Sequence, residues 1–294
     1  MTPNQKIEIC KRTREYAQKS LLKVLQEILD NNLKPSEAEI RDMWIFELRK
    51  NNAIFKDGWY SPPPHGIGIL IGTDEDGERS RLNYKSLRSK EIWPQEDVQL
   101  NTENGIIYAY ASPTDKETGI IGDFGITVYF GNKKEIIDHI ALCYQIVQQV
   151  FAYVEPGLTF AEIAKYMKGL ITSHELNNEI ECKTSPSPAD DVGHTIPFIM
   201  DDMTEQESEI LKRESHDEIK KMISEKRIFV RSSEDQIVKN GMAFTIEPRP
   251  RAVNNPKIPM VSFHSICAIH EKGEKELITN FDKIFDLVRM KYIR

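Results

Sequence analysis

The sequence predicts an α+β fold in which two similar halves share one sheet. In each half a long amphipathic run is followed by a break, a shorter capped helix and several strand candidates. The triplet Ala-Glu-Ile opens the shorter helix in both halves, at 38–40 and at 161–163. We therefore expect a single domain over 1–294, with halves at about 1–130 and 131–294 related by a pseudo-twofold axis.

The helices follow from apolar spacing and from start signals. Both shorter helices begin with a capping box, in which a Ser or Thr precedes a Glu by three residues: Ser36 with Glu39, and Thr159 with Glu162. A charged segment between the strand candidates of the second half also has helical spacing and predicts one inserted surface helix. The predicted helices cover about 4–31, 36–50, 133–153, a short run from 159, and 203–226.

The strand candidates are short apolar runs bounded by turn residues. The first half has three and the second half has three, which suits one sheet built from both halves. They lie at 67–71, 105–111, 125–130, 195–200, 243–246 and 261–269.

Bulk composition restricts the classes of function. A formal net charge of -7 and a pI near 5.6 leave no basic excess for a nucleic-acid surface. No apolar run approaches the ~20 residues of a membrane span, and the first residues lack an apolar signal core. The four cysteines form no Cys-x-x-Cys pair, so we expect reduced thiols in a cytoplasmic protein.

Two elements of the second half have side chains suited to chemistry. Gly193 and His194 place an imidazole in a predicted strand, and Glu247 ends the apolar strand 243–246. A His and a Glu on strands suit metal binding or general acid–base chemistry.

The order of these motifs resembles the pita-bread metallopeptidases, a family that contains methionine aminopeptidases, Xaa-Pro dipeptidases and creatinase. The resemblance covers most of the chain, from the first helix to Thr279. It is carried by the paired helices and by four motifs, which are Pro156-Gly157-Leu158-Thr159, Gly193-His194, Phe244-Thr245-Ile246-Glu247-Pro248 and Gly273-x-x-Glu276-Leu277-Ile278-Thr279.

The resemblance implies a pita-bread fold, in which both halves share a curved antiparallel sheet flanked by helices. It also implies a site in which two Asp, one His and two Glu hold two metal ions. His194 and Glu247 match the family's His and one of its Glu residues. The second Asp matches either Asp123 or Gly125, and side chains at these two positions point to the same face. Tyr110 and His264 stand where the family has carboxylates. We expect an altered, mononuclear centre on His194, Glu247, His264 and Asp123.

The resemblance also implies roles outside the metal ligands. His65 matches a His that contacts substrate and supports the developing negative charge. Asp201 stands where the family has another substrate-contacting His, which favours a positively charged substrate group. Tyr110 is assigned to substrate binding.

The resulting hypothesis is a hydrolase that cleaves a C–N bond in a short peptide or amino-acid derivative, with His65, His194, Glu247 and His264 as catalytic residues. Its cofactor would be a divalent ion of Zn, Mn, Fe or Co, and a homodimer stays open. Three alternatives also stay open: a metal-free creatinase-like hydrolase, a non-catalytic pseudo-peptidase that binds a peptide or protein, and an oxygen-using mononuclear iron enzyme.

Overall fold

The computed structural model describes residues 1–178 and 191–293. In chain order its first-half elements are α1 (Pro3–Asp30), α2 (Glu37–Leu48), β1 (Ile67–Thr73), β2 (Gly105–Ala111) and β3 (Phe124–Tyr129). They are followed by α3 (Lys134–Tyr153), α4 (Phe160–Ser173), β4 (Leu176–Asn178), α5 (Glu205–Lys212), α6 (His216–Lys226), β5 (Met242–Ile246), β6 (Pro250–Ala252), β7 (Phe263–Ile269), β8 (Lys275–Ile278) and α7 (Asp282–Leu287).

The four helices α1 to α4 confirm the predicted helical pairs in both halves. Both predicted capping boxes form, because the Ser36 and Thr159 hydroxyls accept from the backbone N–H groups of Glu39 and Glu162. These bonds satisfy donors that a helix start otherwise leaves without partners. Helices from both halves then pack their apolar faces on the sheet and form one large core.

The two halves share one antiparallel sheet, as predicted. Its strand order is β1-β2-β3-β7-β5, and β8 pairs with β7. The first half supplies β1 to β3, and the second half supplies the rest. The halves meet where β3 pairs with β7, through only two residue pairs, Gly125 with His264 and Ile126 with Phe263. We call this pairing the seam.

Two predicted elements are wrong. The segment 195–200 is not a strand, since it makes only single bridges and then turns. Pro197 has no N–H for a ladder, and Phe198 has a φ of 67°, outside the strand region. The predicted single helix over 203–226 is two helices, α5 and α6, because Glu214 between them has a φ of 52°.

Other expectations concern the cysteines and the membrane. Cys10, Cys143 and Cys267 are buried and free, while Cys182 lies outside the described residues. Over the two described ranges, no helix combines the length and the apolar character needed to cross a bilayer.

Candidate metal site

Four of the predicted site residues meet at the seam. Nε2 of His194 lies 3.6 Å from Asp123 Oδ2 and 3.7 Å from Glu247 Oε1. Nε2 of His264 lies 3.1 Å from Glu247 Oε2. The side chains come from four separate segments of the chain and form a cluster of two imidazoles and two carboxylates, in which Glu247 is 15% exposed and the other three residues are buried.

Asp123 directly precedes β3, and its side chain extends into the cluster. Trp59 Nε1 donates a hydrogen bond to its Oδ1 at 2.8 Å. Its other oxygen, Oδ2, is buried with no hydrogen-bond partner among the described residues and faces His194. The register excludes Gly125 as the ligand position, because a Cβ there would stand 2.9 Å from the Cβ of His264. Of the two positions, Asp123 is the one whose side chain lies beside His194.

His194 is held against β5 by main-chain bonds. Its N–H donates to Thr245 Oγ1 at 2.8 Å, and Thr245 N–H donates back to the His194 carbonyl. Gly193 is required for this approach, since a Cβ at that position would lie 1.9 Å from the Thr245 carbonyl oxygen. Nδ1–H of His194 donates to the Thr195 carbonyl at 3.0 Å, which leaves the Nε2 lone pair facing Asp123 and Glu247.

Glu247 follows the last residue of β5 and is oriented by its own strand. Thr245 Oγ1 donates to Glu247 Oε1 at 3.1 Å, and Glu247 N–H donates to the Val192 carbonyl. Burial alone would raise the pKa of Glu247, but the facing His264, with His194 and Arg249, holds that pKa below its usual range. The carboxylate is therefore ionised at neutral pH.

Burial sets the protonation of two other members. It raises the pKa of Asp123 to about 6, against the opposing effects of His264 and the Trp59 hydrogen bond. Burial and the nearby Arg227 lower the pKa of His194 to about 3, so its ring is neutral at pH 7. A neutral imidazole and an ionised carboxylate are the forms that bind a metal.

The donor set fits a divalent ion. One ligand atom each from Asp123, His194 and His264 lies within 4.8 Å of the others, and all three residues are buried. Ligands at ~2.1 Å from a tetrahedral ion lie about 3.4 Å apart, so small side-chain movements would complete the coordination. Two imidazoles and a carboxylate suit zinc, iron or manganese.

The remaining predicted residues divide into two groups. Tyr110 is buried, lines the cavity beside the cluster and has its ring 6.0 Å from that of His264. His65 and Asp201 are not among the residues that line this cavity. His65 Nδ1 is 2.7 Å from Asp57 Oδ1 in the loop before β1, and Asp201 is exposed and borders a different cavity. The substrate contacts expected of His65 and Asp201 therefore stay predictions.

Sequence reasoning missed several residues that line the same cavity. Trp59, Arg227, Phe229 and Arg249 surround the cluster. Arg249 lies two residues after Glu247, a spacing that could have placed it on the same side of an extended chain. Trp59 and Arg227 lie outside the regular elements, where no periodicity indicates the direction of a side chain.

A sheet built from two half-units, with a buried imidazole and carboxylate cluster at their seam, defines the chain as a pita-bread protein. The model of metallopeptidase family M24 matches residues 114–273, which is more than half of the chain. The chain therefore belongs to metallopeptidase family M24. All four members of the cluster lie inside the matched region. No curated protein matches the chain.

Solved structures share the fold at low sequence identity. A prolidase from Pyrococcus horikoshii is 14% identical with a TM-score of 0.61, covering 95% of this chain and 63% of its own. An X-Pro aminopeptidase from Thermotoga maritima is 13% identical with a TM-score of 0.60, covering 94% and 61%. The chain thus spans about three fifths of these proteins. A methionine aminopeptidase from Rickettsia prowazekii is 15% identical with a TM-score of 0.59, covering 94% and 97%.

Proposed function

We propose that the protein is a mononuclear metal-dependent hydrolase that cleaves a C–N bond in a short peptide or amino-acid derivative. The observation that carries the proposal is the buried group Asp123, His194 and His264, with Asp123 Oδ2 unpartnered within the described structure and facing His194 Nε2. Membership of metallopeptidase family M24 supports the reaction class. By the resemblance, Tyr110 and His264 stand where the family has carboxylates, which favours one ion rather than two.

The chain's residues divide the work as follows. Asp123, His194 and His264 would hold the ion. When bound, a divalent ion lowers the pKa of a water and polarises the scissile carbonyl. Glu247 lies close to both imidazoles, and its carboxylate would accept a proton from the attacking water and return it to the leaving nitrogen. Thr245 keeps the Glu247 carboxylate oriented.

Metal analysis with matched variants tests this proposal. We expect one equivalent of a divalent metal in purified protein, and turnover of short peptides that a chelator removes. Asp123→Asn should weaken metal affinity ~100-fold or more, beyond the 10–100-fold typical of supporting residues. The control, Asp201→Asn, changes an exposed carboxylate outside the cavity and should leave affinity unchanged.

Glu247→Gln separates proton transfer from metal binding. We expect this variant to keep its metal and lose turnover. Protein without stoichiometric metal, in which peptide turnover survives chelation, would exclude the proposal. Ligand binding with no turnover in the wild type would instead indicate the non-catalytic pseudo-peptidase.

A metal-free hydrolase is the second candidate. The observation that favours it is the 3.1 Å contact between His264 Nε2 and Glu247 Oε2, a pair able to exchange a proton without an ion. Its signature is turnover that is insensitive to chelation and is lost in both His264→Gln and Glu247→Gln.

A further inference from the structure

The inserted helices α5 and α6 belong to the second half of the chain, but they contact a loop of the first half. The loop segment 58–59 lies between α2 and β1, and both of its residues are buried. Its Trp59 donates the hydrogen bond to Asp123 Oδ1, next to the candidate metal cluster. Whatever fixes this segment therefore also affects the position of the Asp123 carboxylate.

The peptide group between Gly58 and Trp59 is held from two sides. Its N–H, from Trp59, donates at 3.0 Å to the carbonyl of Ser112, which directly follows β2 in the first half. Its carbonyl, from Gly58, lies 2.7 Å from Nε2 of His216, the first residue of α6. Since a carbonyl can only accept, Nε2 carries the proton and donates. His216 thus restrains the peptide plane that carries the Trp59 side chain.

The other end of α6 contacts the indole itself. Arg227 directly follows the last residue of α6, and its Cζ lies 4.6 Å from the Trp59 ring centroid. Between the two ends, Ile219 and Ile223 of α6 belong to the same buried apolar cluster as Trp59. One helix of the second half therefore contacts both the main chain and the ring in segment 58–59.

Close packing alone does not fix the Trp59 indole on this side. A second cavity, of about 160 Å³, lies between α6 and the loop, and Trp59 forms part of its wall as well as part of the wall beside the metal cluster. A side chain that borders a cavity has fewer neighbouring atoms to restrain it. The hydrogen bond from His216, which lines the second cavity, therefore has a larger share in holding the loop.

We propose that His216 is a positioning residue for the metal site, which holds segment 58–59 and, through the Trp59 indole, keeps the Asp123 carboxylate directed at His194. The path runs through one main-chain carbonyl and one indole N–H, over hydrogen bonds of 2.7 and 2.8 Å. His216 does not line the cavity beside the cluster, so it acts only through other residues. The inference rests on the proposed metal-dependent function and adds a residue that serves it from outside the cavity.

Hydrogen exchange of the indole N–H groups tests the proposal in the metal-free full chain. The chain has three tryptophans, Trp44, Trp59 and Trp93, and each donates a hydrogen bond through its indole. They give separate signals in isotope-labelled protein, and Trp59→Phe identifies the signal of Trp59. His216→Phe keeps a ring of similar size but has no donor. We expect it to speed exchange at Trp59 about tenfold or more and to leave Trp44 within about twofold, because only the segment 58–59 loses a hydrogen bond.

Matched variants separate the donor from the rest of the side chain. His216→Gln is the rescue variant, since its amide N–H can replace the donor at Nε2 and should restore slow exchange at Trp59. Lys221→Gln is the control on α6, because its side chain is 75% exposed, and it should leave all three indoles unchanged. If circular dichroism shows that His216→Phe is not folded, His216→Ala takes its place.

Metal titration then shows whether the effect reaches Asp123. We expect His216→Phe to weaken metal affinity about tenfold, at the lower end of the range for residues that support a ligand. In a Trp59→Phe background the same substitution should change affinity by less than about twofold, because the path through the indole is already broken. A merely structural role of His216 would lower the affinity by the same factor in both backgrounds.

Three results would overturn the proposal. They are unchanged exchange at Trp59 in His216→Phe, equal acceleration at Trp59 and Trp44, and the same loss of metal affinity with and without the Trp59 indole. Failure of the proposed function is recognised separately. Wild-type protein that binds no divalent ion contradicts that function, while the indole exchange rates still decide the role of His216.

Discussion

Replacement of Arg14 should destabilise the whole molecule, although Arg14 lies on the first helix and lines no part of the cavity. Its side chain is fully buried. The guanidinium donates to the main-chain carbonyls of Asp123, of His264 at 2.5 Å and of Thr279 at 2.8 Å. It also packs between the rings of Phe124 and Phe281. Arg14 thus joins the two strands of the seam from beneath the sheet.

The expected loss of unfolding free energy follows from the main-chain carbonyls that would lose their hydrogen bonds to Arg14. Arg14→Met keeps most of the side-chain length and leaves two buried carbonyls and one partly buried carbonyl without their donor, at ~1–3 kcal/mol each. Part of this cost is recovered because a buried charge is also removed, so we expect a net loss of about 3–5 kcal/mol. For 294 residues, this corresponds to a fall in the melting temperature of roughly 5–8 °C.

Urea unfolding at neutral pH measures the loss, with Arg12→Met as the matched control. Arg12 lies on the same helix, its side chain is 52% exposed, and its contact with Asp115 is 3.8 Å long. We expect the control to stay within ~0.5 kcal/mol of the wild type. If Arg14→Met and Arg12→Met differ by less than ~1 kcal/mol, the carbonyls do not depend on the guanidinium and the reasoning is refuted.

Three further predictions concern single side chains. Gly193→Ala should weaken metal affinity sharply, because its Cβ would displace the Thr245 carbonyl and move His194; unchanged affinity by titration would contradict this. Trp59→Phe removes the donor to Asp123 Oδ1 and should lower metal affinity ~10–100-fold, with native far-ultraviolet dichroism and cooperative thermal unfolding as the folding controls. Burial lowers the pKa of His139 to about 4, so the folded state keeps this ring neutral while the unfolded chain takes up a proton below pH ~6.5. This difference in pKa contributes about 3 kcal/mol of stability above pH 6.5, which is lost as the pH falls to 4. In His139→Phe the unfolding free energy should therefore change less between pH 6.5 and pH 4 than in the wild type. Parallel curves of unfolding free energy against pH for the two proteins would contradict this prediction.

Local sequence rules predicted the helices because each signal was contained within a few residues. The capping boxes at Ser36 and Thr159 place two helix starts to within one residue. The segment 195–200 misled the same rules, since its apolar run indicates a strand while Pro197 and the positive φ of Phe198 end the pairing. The break at Glu214 follows from backbone geometry that helical spacing does not reveal.

The candidate site was only partly predictable, because the pairing register of the strands brings its residues together and the sequence alone does not give that register. The resemblance indicated His194 and Glu247 from their motifs, but it left Asp123 and Gly125 as alternatives, and only the fold shows that the Asp123 side chain lies beside His194. Arg227 lies outside the helices and strands, so no periodic pattern predicts the direction of its side chain. An arginine in an irregular segment is normally expected at the surface. Its burial against Trp59 is a tertiary effect.

The cluster at the seam between β3 and β7 contains residues from both halves of the chain, so it is complete only when the two halves are paired. Asp123 belongs to the first half, while His194, Glu247 and His264 belong to the second, and the two strands between them pair through only two residue pairs. An ion held there would bind only when the half-sheets are docked. By linkage, each tenfold rise in free ion above its Kd would add about 1.4 kcal/mol to the docked state. The ion would therefore stabilise the pairing of β3 with β7, and opening at the seam would separate Asp123 from the other three members of the cluster.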